Sequence, residues 1–97
     1  MPNRIHLELI RDTLANAVAI LSYSGNPARR LTAARGLLQL LGREHMPTSI
    51  ARDQWALIAQ SMLRIGGTAT SDELRTLSHQ VQQLHDLVDS YLSRTAD

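Results

Sequence analysis

Four histidines are the side chains in this sequence best suited to acid–base or metal chemistry: His6, His45, His79 and His85. A helical zinc site of the HExxH type needs two histidines four residues apart, so that both imidazoles lie on one face. No two histidines here have that spacing. His85 and Asp89 are four residues apart, which on a helix indicates a surface ion pair. The sequence therefore predicts no metal-binding residue.

The carboxylates and glycines form no catalytic pattern either. Asp72 and Glu73 stand at the predicted start of a helix, where acids stabilise the positive helix end. Asp86 and Asp89 lie on a predicted solvated face, so neither pair offers the two contrasting environments of an acid–base couple. The glycine pair at 66–67 is not followed by the lysine of a phosphate-binding loop and predicts a helix end. We therefore expect no catalytic residue, no cofactor and no enzyme activity.

All the basic residues other than histidine are arginine, and three of them fall in one predicted helix: Arg29, Arg30 and Arg35. A guanidinium forks towards two acceptors at once, which suits carboxylates and phosphates. The three are therefore candidate contacts to an anionic partner, either acidic protein or nucleic acid. A structural alternative stays open. The Arg30 stem would cover the top of the core near acids of a neighbouring helix, while Arg29 and Arg35 would be solvated.

Composition and charge exclude several classes of protein. The net charge of +1 gives no general attraction to nucleic acid. The absence of cysteine excludes disulfides and thiolate metal sites. No uninterrupted apolar run, that of residues 17–21 included, exceeds five residues, far fewer than the roughly 20 residues of a membrane span, and the N-terminal residues have no apolar signal core. We expect a cytoplasmic protein without membrane contacts.

The distribution of apolar residues predicts a single all-α domain with a compact four-helix arrangement. Hydrophobic residues make up 43% of the chain and aromatic residues only 3%, a balance that favours helices over strands. The predicted helices cover residues 3–23, 27–41, 49–65 and 71–94. Short links make successive helices antiparallel. Gly25 and Asn26 predict the first boundary, and Thr70 with Glu73 predicts a capping box.

Two predicted helices carry apolar residues at alternating steps of three and four, the spacing of a packed helical seam. In the first helix these are Leu7, Ile10, Leu14, Ala17 and Leu21. In the fourth helix they are Leu74, Leu77, Val81, Leu84, Val88 and Tyr91. The third helix has apolar residues on nearly every side, so we expect it to be the most buried, with Trp55 at its centre.

Apolar residues beyond these seams predict an interface. They are Ile5, Leu9, Ile20 and Tyr23 in the first helix, and Leu87 and Leu92 in the fourth. Four helices of this length bury one face each, so a second apolar stripe needs another cover. A symmetric homodimer and a docked partner helix are the two solutions that we expect.

The function predicted from these features is that of a non-catalytic regulatory or adaptor protein. It would act by helix-mediated docking on a protein partner, such as a transcription or signalling factor, and as a homodimer. The alternative is a small DNA-binding transcriptional regulator that uses the arginines of the second helix. In size, helix content and lack of catalytic residues the chain resembles small bacterial helical regulators. No specific motif carries this resemblance, so it implies no site residues.

Overall fold

The computed structural model describes residues 4–65 and 69–95, which form four α-helices and one short 3₁₀ helix. The α-helices are α1 (Arg4–Ser22), α2 (Pro27–Leu38), α3 (Ser49–Ile65) and α4 (Ser71–Arg94), and the 3₁₀ helix is Arg43–His45. The described residues contain no strand. The predicted all-α, four-helix arrangement is confirmed. The predicted helix start at Asn3 and the predicted stop at Gly66 and Gly67 lie outside the described residues.

The helix boundaries follow the local signals in the sequence. Gly25 has a φ of 126°, a conformation that favours glycine, and it separates α1 from α2. The Asn26 side chain accepts hydrogen bonds from the backbone N–H groups of Ala28, at 2.8 Å, and Arg29, at 3.3 Å. At the start of α4, Thr70 and Glu73 each accept a hydrogen bond from the other's backbone N–H, which confirms the capping box.

The end of α2 differs from the prediction. The helix ends at Leu38, three residues before the predicted end at Leu41. Beyond Leu38 the chain tightens, because the N–H of Leu40 donates to the carbonyl of Leu37 and the N–H of Leu41 to that of Leu38. Such i to i−3 bonds are typical of a closing 3₁₀ turn.

One hydrophobic core unites the four helices, and α4 is central to it. α4 packs against α1 on one side and α3 on another, and α2 packs mainly against α1. All five predicted seam residues of α1 are buried. The molecule is elongated, with extents of 43 × 22 × 18 Å, because α4 runs along the long axis at roughly 1.5 Å per residue.

The last position of the α4 seam is Leu92 and not Tyr91. Leu92 is only 2% exposed, whereas Tyr91 is half-buried at the edge of the core. Leu92 lies five full helical turns after Leu74, so the two side chains lie on the same line along the helix. The alternating three–four pattern drifts away from that line by about 20° per heptad in a straight helix, which explains the misplaced residue.

The prediction that α3 is the most buried helix is wrong. Only Ala51, Ile58 and Ile65 are buried in it, and Trp55 is half-buried. Three large apolar side chains of this helix are exposed instead: Ile50, Leu57 and Leu63. The reason is tertiary. α3 packs closely only on α4 and on the 3₁₀ helix, so one side of the helix is covered and the other faces solvent.

Candidate functional site

The face of α1 directed away from the core carries exposed large apolar side chains near both ends of the helix. At 100° per residue, six residues lie within about 40° of one line opposite the core. We call them the outer face of α1: Ile5, Leu9, Asp12, Asn16, Ala19 and Tyr23. The three large apolar ones are 69%, 61% and 66% exposed, in the order Ile5, Leu9 and Tyr23. An exposed set of this kind on a well-formed helix is typical of a docking surface.

The charges on and beside this face are compensated within the chain. Asp12 is the only charged residue of the outer face, and Nε of Arg11 lies 3.3 Å from its carboxylate. Arg11 also reaches Asp89 of α4, at 3.7 Å. At the edge of the face, Arg4 and Glu8 pair at 3.3 Å. The outer face of α1 therefore presents apolar, small and neutralised side chains to a partner.

The predicted interface residues divide into three groups in the structure. Ile5, Leu9 and Tyr23 are exposed on the outer face of α1. Ile20 is half-buried and packs against the core, and Leu87 is half-buried in a shallow groove between α3 and α4, beside Gln54. Leu92 is buried inside the chain, so its assignment to the interface is wrong. The alternating three–four pattern ends the predicted seam of α4 at Tyr91. The pattern therefore predicted that Leu92 lies beside the seam and not within it.

The predicted arginine surface is not formed as a single patch. Nη1 of Arg30 donates to the main-chain carbonyl of Leu21 at 3.0 Å, and Nη2 of Arg35 donates to that of Met62 at 3.1 Å. These carbonyls lie in the last turns of α1 and α3, where a helix carries partial negative charge. Arg30 thus neutralises the end of α1, and acids of a neighbouring helix are not its partner. Arg29 is exposed, so it alone keeps the orientation expected of a contact to an anionic partner.

Arg4 makes the same type of contact at the other end of the molecule. Its Nη1 donates to the main-chain carbonyl of Leu92, at 3.3 Å, in the last turn of α4. Three arginines therefore bind the ends of three helices. Sequence reasoning missed this role because a backbone carbonyl has no signature in the sequence.

Two titratable side chains of α4, His85 and Asp86, form a hydrogen-bonded cluster with Gln82 on the surface. Asp86 accepts from Nε2 of Gln82 at 2.9 Å and lies 3.1 Å from Nδ1 of His85. The bond with His85, followed by that with Gln82, lowers the pKa of the Asp86 carboxyl. The predicted partner of His85, Asp89, pairs with Arg11 instead. Within residues 4–65 and 69–95, no three histidine or acidic side chains come together to hold a metal ion.

The chain matches no protein-family model, no curated protein and no solved structure. Its own geometry is therefore the only guide to its function. None of the helices in the described part of the chain has the length and apolarity that crossing a bilayer would require.

Two features of the surface were not predicted as sites. One is the exposed apolar side of α3, with Ile50, Leu57 and Leu63. Its signal in the sequence is the polar strip of Asp53, Gln60 and Arg64, which flanks these residues and marks a solvated side. The second feature is a polar cleft beside the C-terminal end of α1. It draws on three helices, so no local pattern in the sequence reports it.

Proposed function

We propose that this protein is a non-catalytic regulatory or adaptor protein that docks through the outer face of α1, and that a second copy of the chain occupies this face. The observation that carries the proposal is the exposure of Ile5 and Leu9 on one side of α1 and of Tyr23 directly after the last residue of the helix. Burial of apolar area stabilises a complex by about 25 cal/mol per Å², so three large exposed side chains favour a protein partner.

The order of residues on the outer face supports a second copy as the partner. In a symmetric pair, each copy contributes the same surface, and residue i contacts residue j in both directions. Ile5 and Tyr23 are equally far along the chain from Leu14, and their spacing of 18 residues corresponds to five helical turns, although Tyr23 comes directly after the last residue of α1. A two-fold axis level with Leu14 would therefore set Ile5 of one copy against Tyr23 of the other, in an antiparallel pair of α1 helices.

The other residues of the face fit the same axis. Asp12 and Asn16 are also equally spaced about Leu14, so the Asn16 amide would donate to the Asp12 carboxylate of the second copy. Leu9 and Ala19 are equally spaced about Leu14 as well, so Leu9 would pack against Ala19 of the second copy. Each apolar residue thus finds an apolar neighbour, and the single acid finds a donor. The equal spacing of these residues about Leu14 is what a symmetric pair requires, and docking of an unrelated partner does not require it.

The test compares two substitutions of the same kind at exposed leucines. Leu9→Asp puts a charge within the proposed contact, and Leu63→Asp puts one on α3, where Leu63 is 85% exposed. In sedimentation at micromolar concentration, the wild type and Leu63→Asp should have twice the chain mass, and Leu9→Asp should be a monomer. A monomeric wild type would contradict the second copy as partner. If Leu63→Asp dissociates the dimer and Leu9→Asp does not, the interface lies on α3 and not on the outer face of α1.

A further inference from the structure

A cleft of about 480 Å³ opens where the C-terminal end of α1 meets the first turns of α2 and α4. Three helices enclose it, and most of its lining side chains are polar. The lining consists of Leu21, Ser22, Tyr23, Ser24, Arg30, Ser71, Arg75, Ser78 and His79. Its volume falls in the range of about 300–1,000 Å³ that is typical of small-molecule sites.

The cleft combines positive charge with hydroxyl groups. Among the described residues that line it are two arginines, one histidine and four serines, but no carboxylate. The nearby end of α1 carries partial negative charge, but Arg30 already donates to its Leu21 carbonyl at 3.0 Å. Nε of the same guanidinium is buried and has no hydrogen-bond partner among the described residues. The first turn of α4 adds the Ser71 hydroxyl, while its positive end is already compensated by Asp72 and Glu73.

The side chains on α4 are spaced to act on one ligand. Ser71, Arg75 and His79 follow one another at intervals of four residues, so they lie along one face of the helix. Across the cleft, the hydroxyls of Ser22 and Ser78 are 3.3 Å apart. Hydroxyls, a guanidinium and an imidazole on adjacent turns are the groups that bind the oxygens of a phosphate.

The ion pair between Arg75 and Asp72 does not prevent Arg75 from binding a phosphate. Nη1 of Arg75 lies 3.4 Å from the Asp72 carboxylate, with both side chains largely exposed. Exposed pairs of this kind contribute about 0–1 kcal/mol, so a doubly charged ligand competes for the guanidinium. Arg30, in contrast, is half-buried and held by the end of α1, so it supplies fixed positive charge.

From these features we infer that the cleft binds the phosphate group of a small phosphorylated molecule. Arg75 and His79 would contact the phosphate oxygens, the serines would donate further hydrogen bonds, and Arg30 would offset the negative end of α1. The cleft is larger than a bare phosphate, which leaves room for the organic part of the molecule beside it. This site lies within one chain and does not depend on the pairing of α1.

The inference is tested by NMR titration of the amide and imidazole signals with inorganic phosphate and with glycerol 3-phosphate, at constant ionic strength. We expect saturable shifts at Ser71, Arg75 and His79, and tighter binding of the ester than of phosphate. Equal binding of the two would show that the cleft contacts only the phosphate group, which would overturn the expected contribution of the organic part. Shifts that sodium chloride reproduces would overturn the inference, and so would the absence of saturation at millimolar concentration.

Substitutions then connect the binding to the cleft. Arg75→Gln and His79→Gln should each weaken binding, by about tenfold for the arginine, since its substitution removes a charge-assisted hydrogen bond to the ligand. Arg94→Gln is the matched control, because Arg94 is an exposed arginine in the last turn of the same helix. Equal weakening by Arg94→Gln would show that charge alone attracts the ligand. Leu9→Asp should bind as the wild type does, and a loss there would contradict a site within one chain.

Discussion

The guanidinium of Arg35 donates a hydrogen bond to the main-chain carbonyl of Met62 across 3.1 Å. The bond connects α2, which packs mainly on α1, to the last turn of α3, which packs mainly on α4. Arg30 and Arg4 make equivalent bonds to the last turns of α1 and α4. Because arginine keeps its charge and offers several donors, it satisfies these carbonyls and opposes the helix dipole at the same time.

Loss of the Arg35 contact should destabilise the fold measurably. We expect Arg35→Gln to lower the free energy of unfolding by about 1–2 kcal/mol, since a hydrogen bond from a charged donor is lost while the helix propensity is nearly unchanged. Arg29→Gln is the control on the same helix, because Arg29 is exposed, and it should stay within about 0.5 kcal/mol of wild type. Urea denaturation of both variants measures the difference. Equal effects would show that the Arg35 bond contributes nothing to stability.

The seam of α4 makes a second prediction about stability. Leu92→Ala should cost about 2–5 kcal/mol, because it removes a buried side chain and leaves a cavity in the core. Leu87→Ala should cost less, since Leu87 is half-buried in an open groove. The two leucines differ by little in sequence position and not at all in type, which makes them a matched pair for urea denaturation. A larger loss of stability for Leu87→Ala than for Leu92→Ala would show that the buried seam of α4 runs through Leu87 and not through Leu92.

The sequence predicted those parts of the fold that depend on neighbouring residues. Helix starts follow from capping groups such as Asn26 and Thr70, and the buried line of α1 follows from helical spacing alone. The burial of α3 was misjudged, because it depends on which helices lie beside it. Leu63 is as apolar as Ile58, and only the position of α4 leaves one exposed and the other buried.

The candidate sites also divide into those that follow from helical spacing and those that depend on contacts between distant residues. Ile5, Leu9 and Tyr23 could be assigned to the surface because they lie opposite a regular buried line. The roles of Arg30 and Arg35 could not be assigned, since each depends on a carbonyl of a distant residue. The cleft was equally out of reach, because its walls come from helices that are far apart in sequence.

Trp55 reports the position of α3 directly, because it is the only tryptophan of the chain. Its half-buried indole should emit at a wavelength between those of a core tryptophan and a solvated one. Acrylamide should quench this emission in the native state, although less efficiently than after unfolding. Complete protection from acrylamide would show that another surface covers α3.

Asp86 predicts a small pH dependence of stability. Its pKa is lowered in the fold by the hydrogen bonds from His85 and Gln82, so folding favours the carboxylate form. The resulting stabilisation is present above the pKa of the unfolded chain and is lost as the pH falls through the lower folded value. Asp86→Asn should therefore be slightly less stable than wild type at neutral pH, and the difference should disappear in acid. The side chain is exposed, so the effect is small. A difference that persists unchanged in acid would assign it to another cause.

The antiparallel register of α1 can be tested by cross-linking, because the chain contains no cysteine of its own. In the proposed pair, Ile5 of one copy lies against Tyr23 of the other. The double variant with Ile5→Cys and Tyr23→Cys should therefore give a covalent dimer with a short thiol-reactive cross-linker. Within one copy the two positions are about 27 Å apart at 1.5 Å per residue, so an intramolecular link cannot compete.

The single variants distinguish the direction of pairing. Ile5→Cys alone should give little covalent dimer, because the two copies of this residue lie at opposite ends of an antiparallel pair. In a parallel pair the same two residues would be neighbours, and the single variant would cross-link efficiently. Addition of Leu9→Asp to the double variant should abolish the covalent dimer, which excludes links made by random collision. Efficient cross-linking of Ile5→Cys alone would show that the α1 helices pair in parallel, still through the outer face of α1. Cross-linking of the double variant that persists with Leu9→Asp would show that the interface does not involve α1.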